Sequence, residues 1–471
     1  MPQSIDRTRI QKDVAVCSVF LNQIRTDEQM WKCAIDANKA LICATRRGGA
    51  PVHINLEINN GYFLKKNMFP VEVLPTVNKI NYFESLSNCP VISEGKIAIF
   101  IGSHIPFTEA EIQAIDSFCA KYGSVVFCDH TSNYYGKYRV LTGLIGQQEN
   151  KISKVFPDIL IHIGQVSGDY ASMGLAGRAK SVWRVAPDGE LHDTFKKLDC
   201  LFAVEEKNFF EFYSSQKQTD SKNDYLADCK GVYAELYAKI PEDLPFSNIW
   251  VAKRLYQELP KKSFIQLGIL NSLRSWNLFD SKHIVSESCN TGGFGIDGGV
   301  SSFIGASLAK KADYYYCVTG DLAFFYDMNV LGNRHIGKNV RLMVVNNGVG
   351  VEFKFYHHQN DFLDVDKFIG AGGHFGNKSH QLLKHYAEDL GFEYISASTK
   401  EEFEKVYKNF VSEKKDKPIL FEVFTNAVDD DKALYIINNL QAPSLKQAIK
   451  KEIKGIIGQS RIDAVKSIIK K

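Results

Sequence analysis

The chain has 471 residues, of which 45% are hydrophobic and 24% are charged, and its formal net charge is +3. This composition is typical of a globular protein with two or three domains, and the near-neutral charge argues against binding to nucleic acid or to a membrane surface. No run of about 18 apolar residues is present that would span a membrane, and the polar start MPQSIDRTRIQKD does not resemble a secretory signal. The ten cysteines form no CxxC pair, so we expect free thiols and a cytoplasmic location.

The N-terminal part, residues 1–60, is predicted to contain a helix followed by a strand. The stretch DEQMWKCAIDANKALICAT has apolar residues at helical spacing, and RRGGAPVHINLEI provides a turn that leads into a strand. Residues 61–94 show little periodicity, and we predict a linker there.

Residues 95–215 are predicted to form a separate α/β domain of the Rossmann-like kind. KIAIFIGS, SVVFCD, FPDILIHIG and SVWRVAP are strand candidates, and FTEAEIQAIDSFCAKYG is a helix that ends at a glycine. Strands that alternate with helices predict a parallel sheet.

Residues 220–430 repeat this pattern, with strands predicted at SFIQLGI, YYYCVTG, VRLMVVNN and PILFEVF. Residues 431–471 are predicted to be a basic amphipathic helical tail, packed on the domain or on a neighbouring subunit. The fold class predicted for the whole chain is therefore multi-domain α/β, with parallel sheets flanked by helices.

The stretch GDLAFFYDMNVLGNRHIGKNVRLMVVNNGVG (320–350) carries the strongest functional signal. Asp321 follows one predicted strand, and Asn346 and Asn347 end the next one, with Asn347 26 residues after Asp321. Ligands of parallel sheets bind beyond the carboxyl ends of the strands. A carboxylate, a carboxamide oxygen and a backbone carbonyl suit Mg²⁺ that also binds the phosphates of a substrate or cofactor. The chain contains no GxxxxGK[ST] motif, which excludes a P-loop.

This stretch resembles the motif of thiamine diphosphate-dependent enzymes, in which Gly-Asp is followed a little over twenty residues later by Asn-Asn. SCNTGGFGIDGGVSSFIGASLA (288–309) and APVHINLEI resemble one branch, the 2-succinyl-5-enolpyruvyl-6-hydroxy-3-cyclohexene-1-carboxylate (SEPHCHC) synthases of menaquinone biosynthesis. The order of the predicted domains also matches: the end of a pyrimidine-binding domain, a central domain and a diphosphate-binding domain.

The resemblance implies thiamine diphosphate and Mg²⁺ as cofactors and assigns roles to individual residues. The Mg²⁺ ligands would be Asp321, Asn347 and the carbonyl of Val349. Gly320 and Leu322 would bring backbone to the diphosphate, and Asn271 and Ser272 match the loop that opens this domain. Ile296 would hold the cofactor in its bent form, and the carbonyl of Phe294 would orient the aminopyrimidine.

One departure from the family concerns the N-terminus. Activation of the cofactor needs a Glu in the first part of the pyrimidine-binding domain, whereas MPQSIDRTRIQKD corresponds to its later half and Glu57 does not match. We expect a truncated product or, alternatively, a separate chain that supplies the missing segment; truncation is the favoured alternative.

A second departure concerns the predicted substrate pocket. The synthases have an Arg after the residue that matches Asn290, where this chain has Thr291, and another at the position of Trp276. Arg residues there would bind acidic substrates. Arg274 is close in sequence, but on a helix it points about 200° away from Trp276. The pocket is therefore expected to suit a less acidic substrate or one that contacts an aromatic residue.

The remaining candidates are histidines and tyrosines in predicted loops. His357 and His358 follow the loop at Asn347–Val349 that is predicted to bind the metal. In that position they could close over the cofactor and shuttle protons. His130, Tyr134 and Tyr135 could line a groove of the central domain.

These features lead to three hypotheses. The first is a thiamine diphosphate- and Mg²⁺-dependent enzyme that decarboxylates a 2-oxo acid and passes the product to a small-molecule acceptor, acting as a homodimer or homotetramer. The second is a related decarboxylase or carboligase of another small-molecule or surface-polysaccharide pathway. The third is a truncated, cofactor-binding subunit without activity.

Overall fold

The computed structural model describes residues 10–57, 78–148, 152–217, 223–281, 284–353, 370–414 and 416–441. Within these residues the strands form three sheets, and all of the paired strands are parallel. This confirms the predicted α/β class with parallel sheets flanked by helices. Among the helices described, none is both long and apolar enough to cross a membrane.

The N-terminal segment contains a two-stranded parallel sheet, β1 (Cys17–Leu21) and β2 (Val52–Leu56), joined by helix α1 (Asp27–Thr45). Helix α1 coincides with the predicted helix and starts at Thr26, whose side chain accepts a hydrogen bond from Gln29 N. The prediction omitted β1, because five residues among polar neighbours leave little periodic signal.

The central sheet has seven strands in the order β3-β9-β8-β7-β4-β5-β6. Its strands are β3 (Asn81–Phe83), β4 (Ile97–Ile101), β5 (Val125–Cys128), β6 (Arg139–Leu141), β7 (Ile159–Ile163), β8 (Ser181–Val185) and β9 (Leu198–Phe202). The helices along this part of the chain are α2 (Glu109–Tyr122), α3 (Gly143–Gly146), α4 (Tyr170–Ala176) and α5 (Glu206–Ser215). Strand β3 lies inside the range 61–94 that was predicted to be a linker; three residues are too few to show alternation.

Helix α2 shows why the sequence signals in this region were clear. Thr108 and Glu111 form a reciprocal capping box at its start, and Gly123 ends it in the left-handed conformation, with φ of 61°. Its buried face, which includes Phe118, packs on a core of β-strand side chains that are inaccessible to solvent.

The third sheet has six strands in the order β11-β10-β12-β13-β15-β14. Its strands are β10 (Ser263–Leu267), β11 (Ile284–Ser288), β12 (Tyr314–Gly320), β13 (Val340–Asn346), β14 (Glu393–Ala397) and β15 (Ile419–Phe424). The helices of this part are α6 (Tyr225–Ala238), α7 (Asn248–Leu255), α8 (Asn271–Trp276), α9 (Gly299–Leu308), α10 (Asp321–Asp327), α11 (Leu382–Asp389), α12 (Lys400–Phe410) and α13 (Ala427–Asn438). Of the predicted tail 431–471, residues 442–471 lie outside the described residues.

The strand order of the third sheet opens a crevice between β10 and β12. From β10 the chain continues to β11 on one side, and from β12 it continues to β13 on the other side. The two loops that leave the carboxyl ends of β10 and β12 therefore diverge, which is the place where open α/β sheets bind ligands.

Candidate active site at the edge of the third sheet

A cleft at this crevice collects most of the residues that were predicted to bind the cofactor and the metal. Three loops at carboxyl ends of neighbouring strands and the loop between β11 and α9 contribute to it. The predicted residues that line the cleft are Asn271, Ser272, Ile296, Gly320, Asp321, Leu322, Asn347 and Val349. They span almost 80 positions of the sequence, so it is the parallel register of β10, β12 and β13 that assembles them.

Asp321 lies at the base of this cleft and is almost completely buried. Its Oδ1 accepts a hydrogen bond from its neighbour Leu322 N at 2.8 Å, and its Oδ2 accepts one from Gly348 N at 2.6 Å. The carboxylate is thus oriented by backbone donors from the first turn of α10 and from the loop after β13, so its position does not depend on side-chain rotamers alone.

Asn347 is held in place by a second buried carboxylate. Its Nδ2 donates to Asp430 Oδ2 at 3.1 Å, and its Oδ1 accepts from Val349 N at 3.2 Å. Asp430 also accepts a hydrogen bond from Asn248 N at 2.8 Å. Burial raises the pKa of Asp430 to about 6, although these hydrogen bonds oppose the shift.

Asn346, the other carboxamide of the pair, faces away from the cleft and binds Glu422. Its Nδ2 donates to Glu422 Oε1 at 2.7 Å, and Tyr394 Oη donates to Glu422 Oε2 at 2.7 Å. Burial raises the pKa of Glu422 to about 6 despite these two donors. The two neighbouring carboxamides therefore serve opposite faces of the sheet, as the alternation of a strand requires.

His374, which is not among the residues predicted for the site, also contacts Asp321. Its Nε2 lies 3.0 Å from Asp321 Oδ2, and its Nδ1 accepts a hydrogen bond from Gly376 N at 2.8 Å. Because Nδ1 is an acceptor, the proton sits on Nε2, which donates to the carboxylate. No motif surrounds His374, and 53 positions separate it from Asp321, so only the fold could reveal the contact.

Phe294 and Ile296 lie in the loop that leads from β11 to α9. Ile296 lines the cleft and is half-buried. Phe294 has a left-handed backbone with φ of 52°, and its ring stacks on Tyr170 with 6.1 Å between centroids. A left-handed conformation is uncommon for an aromatic residue and marks this turn as one held by its surroundings.

The residues predicted to contact substrate have unequal access to the cleft. Trp276 is 1% exposed and belongs to the main hydrophobic core. Its expected contact with substrate is thus corrected to a packing role, because an indole within the core offers no free surface. Thr291 is likewise buried, and Asn290 accepts a hydrogen bond from Gln266 Nε2 at 3.2 Å.

Arg274, considered as a substitute for the family's missing arginines, is paired within the protein. Its Nη1 lies 2.7 and 2.6 Å from the two carboxylate oxygens of Glu352, and both side chains are largely buried. Its guanidinium also lies over the ring of Tyr170, 4.3 Å from the centroid. The charge of Arg274 is therefore compensated before any substrate arrives.

The other predicted candidates lie elsewhere. His357 and His358 fall outside the described residues. His130 and Tyr134 are fully buried, and His130 Nδ1 lies 2.6 Å from Glu287 Oε1. These two side chains consequently belong to the protein interior and do not line a groove, whereas Tyr135 is partly exposed.

The donor set of the cleft suits a hard cation that brings its own further ligands. In the part of the chain that the structure describes, no cluster of three or more His, Cys, Asp or Glu side chains could hold a metal ion. Asp321, Asn347 and Val349 instead offer one carboxylate, one carboxamide and one carbonyl oxygen. Such a set fits Mg²⁺ completed by phosphate oxygens and water, and not zinc.

The cleft also leaves room for a phosphate group next to the backbone. A Cβ atom at Gly320 would meet no atom within 4 Å, so the space beside this residue is open. A ligand can therefore approach the backbone of residues 320–322 closely, which is the geometry that phosphate binding needs.

Comparison with known proteins supports the predicted resemblance. No family model matches the chain. It is 28% identical to the SEPHCHC synthase of Bacteroides fragilis over 448 residues, which cover 92% of this chain and 78% of that protein. The synthases of Phocaeicola vulgatus and Christiangramia forsetii are also 28% identical, over 91% and 85% of this chain and 77% and 70% of their own lengths. The resemblance predicted from the motifs is thus confirmed: the chain is similar to 2-succinyl-5-enolpyruvyl-6-hydroxy-3-cyclohexene-1-carboxylate synthases over about nine-tenths of its length.

Proposed function

We propose that this protein is a thiamine diphosphate- and Mg²⁺-dependent enzyme that decarboxylates a 2-oxo acid and transfers the product to a small-molecule acceptor. The observation that carries the proposal is the convergence of Asp321, Asn347, Val349 and Ile296 on one cleft at a sheet crevice. The similarity to SEPHCHC synthases supports a reaction of this class, in menaquinone biosynthesis.

In this proposal the metal is held by three oxygens from two strand ends. Gly348 N fixes the Asp321 carboxylate, and Asp430 fixes the Asn347 carboxamide through its Nδ2, while Oδ1 accepts from Val349 N. The backbone at Gly320 and Leu322 would hold the diphosphate, and Asn271 and Ser272 line the same cleft. Preorganised ligands lower the cost of ordering the site when metal and diphosphate bind.

Ile296 and Phe294 would act on the organic part of the cofactor. Thiamine diphosphate, when bound, supplies the electron sink for decarboxylation. The side chain of Ile296 projects into the cleft as an apolar support. The turn at Phe294, held in a left-handed conformation, would present its carbonyl to the aminopyrimidine as a hydrogen-bond acceptor.

A second candidate function, a related decarboxylase or carboligase with a different substrate, is favoured by the state of Arg274. Because Glu352 compensates its charge, and because Thr291 is neutral, the described residues offer no obvious partner for a second carboxylate of the donor. A monocarboxylic 2-oxo acid would then be preferred. The partners in either case are a 2-oxo acid, a small-molecule acceptor and a second copy of this chain in a homo-oligomer.

The test is calorimetric titration of the chain with thiamine diphosphate, with and without Mg²⁺. We expect Mg²⁺-dependent binding that Asp321→Ala abolishes. The matched control is Asp313→Ala, which removes an exposed carboxylate just before the other end of the same strand, β12, and should bind as the native chain does. Unchanged binding in Asp321→Ala would rule out the proposed metal site.

A second measurement separates cofactor binding from catalysis. The chain is incubated with cofactor, Mg²⁺ and a panel of mono- and dicarboxylic 2-oxo acids, and released CO₂ is measured. Turnover of monocarboxylic acids alone supports the second candidate. Binding without any turnover would identify a cofactor-binding subunit that lacks activity by itself.

A further inference from the structure

A second cleft lies at the carboxyl edge of the central sheet, away from the candidate active site. The loops after β4, β7, β8 and β9 surround a space of about 640 Å³. This is again a crevice of the sheet, because the chain passes from β4 to β5 on one side and from β7 to β8 on the other. Its volume is in the range of small-molecule sites, about 300–1,000 Å³.

Arg184 is a buried cation that lines this cleft and has no hydrogen-bond partner among the residues that the structure describes. The residue is 4% exposed and lines the space. Its Nε and Nη1 donate no hydrogen bond to any atom of the described residues. Burial lowers the pKa of Arg184, and the charges of Asp188 and Glu206 oppose this only in part. Leaving such donors unsatisfied costs stability, so their retention beside a cavity points to a ligand that satisfies them.

The neighbouring groups strengthen this interpretation. Helix α5 begins at the cleft, with Glu206 and Lys207 in its first turn lining the space, so its free backbone N–H groups face the same region as Arg184. At Gly102 and Gly164 the loops after β4 and β7 cross so closely that a side chain at Gly102 would collide with the backbone of Gln165. Closely approaching backbone, the N-terminus of a helix and a guanidinium group together suit the binding of a phosphate group.

The same cleft carries carboxylates, which limit the kind of ligand. Asp188 and Glu205 are exposed there, and Glu206 is held by His104, whose Nε2 lies 3.2 Å from Glu206 Oε2. A bare polyanion would be repelled by these groups, whereas hydroxyl groups donate hydrogen bonds to them. We propose that the cleft of the central sheet binds a phosphorylated polyol, with its phosphate on Arg184 and its hydroxyls on the carboxylates around it.

The experiment measures binding of three probes to the full chain by calorimetry: inorganic phosphate, ribose 5-phosphate and adenosine monophosphate. Ribose 5-phosphate should bind more tightly than inorganic phosphate, and Arg184→Gln should weaken it at least ten-fold. Arg178→Gln is the matched control, since it removes the same charge from an exposed position in the same region of the fold. If adenosine monophosphate binds more tightly than ribose 5-phosphate, the ligand is a nucleotide. If the two bind equally, the ligand is a sugar phosphate. Both results support the proposal.

Three results would overturn it: no binding of any probe, equal affinity in Arg184→Gln, or equal affinity for phosphate and ribose 5-phosphate. A structural role for Arg184 is distinguished by thermal unfolding, because Arg184→Gln removes an unpartnered charge and should leave Tm unchanged or higher. If Arg184→Gln does not fold, Arg184→Lys is used instead, because it keeps the positive charge but loses the planar guanidinium. Loss of ribose 5-phosphate binding in Arg184→Lys is then the decisive result. Asp321→Ala should bind the probes normally, so failure of this proposal is distinguishable from failure of the proposed catalytic function.

Discussion

Individual side chains at the candidate active site are held by partners from distant parts of the chain. Asp321 is oriented by Gly348 N and contacts His374, and Asn347 is oriented by Asp430. Such supporting contacts keep oxygen ligands within the narrow geometry that a bound ion needs. They also make the site sensitive to residues that would never touch the cofactor.

The pair Arg274–Glu352 provides a test at the scale of single residues. Arg274→Met should lower the free energy of unfolding by about 3 kcal/mol, because it leaves a largely buried carboxylate without its main partner. The double variant Arg274→Met/Glu352→Leu should recover much of this loss. As a control, Lys239→Met breaks the exposed pair Lys239–Glu235 and should leave the free energy of unfolding nearly unchanged, because solvent screens an exposed ion pair. Urea denaturation of these three variants and of Glu352→Leu measures the losses; a loss in the double variant equal to the sum of the two single losses would contradict the pairing.

Glu422 predicts a pH dependence of stability. Its pKa in the folded state is about 6, above the ordinary value of 4.5, chiefly because it is buried. The folded protein therefore binds a proton at Glu422 more tightly than the unfolded chain does. The stabilisation that results is complete below pH 4.5 and is lost as the pH rises through 6. Relative to Glu422→Gln, the native protein should lose about 2 kcal/mol of unfolding free energy between pH 4.5 and 7. Parallel pH profiles of the two proteins would show the idea to be wrong.

At the scale of elements, the loop after β13 and the segment 370–377 pack against each other over the site. Gly350 N donates to Ala371 O at 2.7 Å, and His374 N donates to Gly348 O at 3.1 Å. Gly348 has φ of 77°, and a Cβ atom there would collide with the side chain of Asn377. The loop after β13 is thus shaped by a segment that follows it by more than twenty residues.

Gly348→Ala is expected to disturb this packing and the site together. It should destabilise the protein by about 1 kcal/mol more than Gly391→Ala, because both residues have positive φ but only at Gly348 would the added methyl group displace a side chain, that of Asn377. It should also weaken binding of thiamine diphosphate, since Gly348 N orients Asp321. Thermal unfolding and calorimetry of the two variants measure this; similar stability and affinity in both would refute the packing argument.

At the scale of the whole molecule, His130 links the central sheet to the third sheet. It follows β5, and its ring contacts Glu287 of β11 and the carbonyls of Trp276 and Phe279, at 2.6, 2.8 and 2.9 Å. Burial alone would lower the pKa of His130, but the charge of Glu287 raises it above the ordinary value. The two sheets therefore share a buried charged pair.

Replacement of this histidine should uncouple the two sheets. His130→Phe leaves the buried Glu287 without its cation and should cost about 3 kcal/mol, with separate unfolding transitions in calorimetry. His162→Phe is the control: His162 is equally buried but lies among Phe100 and Phe195, and burial lowers its pKa well below the ordinary value. Its replacement by an aromatic ring should keep one transition. A single transition in His130→Phe as well would disprove the link.

The sequence by itself determined the α/β class, helix α1, the main strands of both large sheets and the placement of Asp321 and Asn347 at neighbouring strand ends. These features depend on local periodicity and on residues next to each strand end, which are visible in a short stretch. The domain bounds, by contrast, stay a prediction. Only the tertiary structure decided that Glu352 compensates Arg274, that His374 contacts Asp321 and that Arg184 faces a second cleft. Each of these depends on strand order and loop crossing between distant residues, for which a single sequence carries no periodic signal.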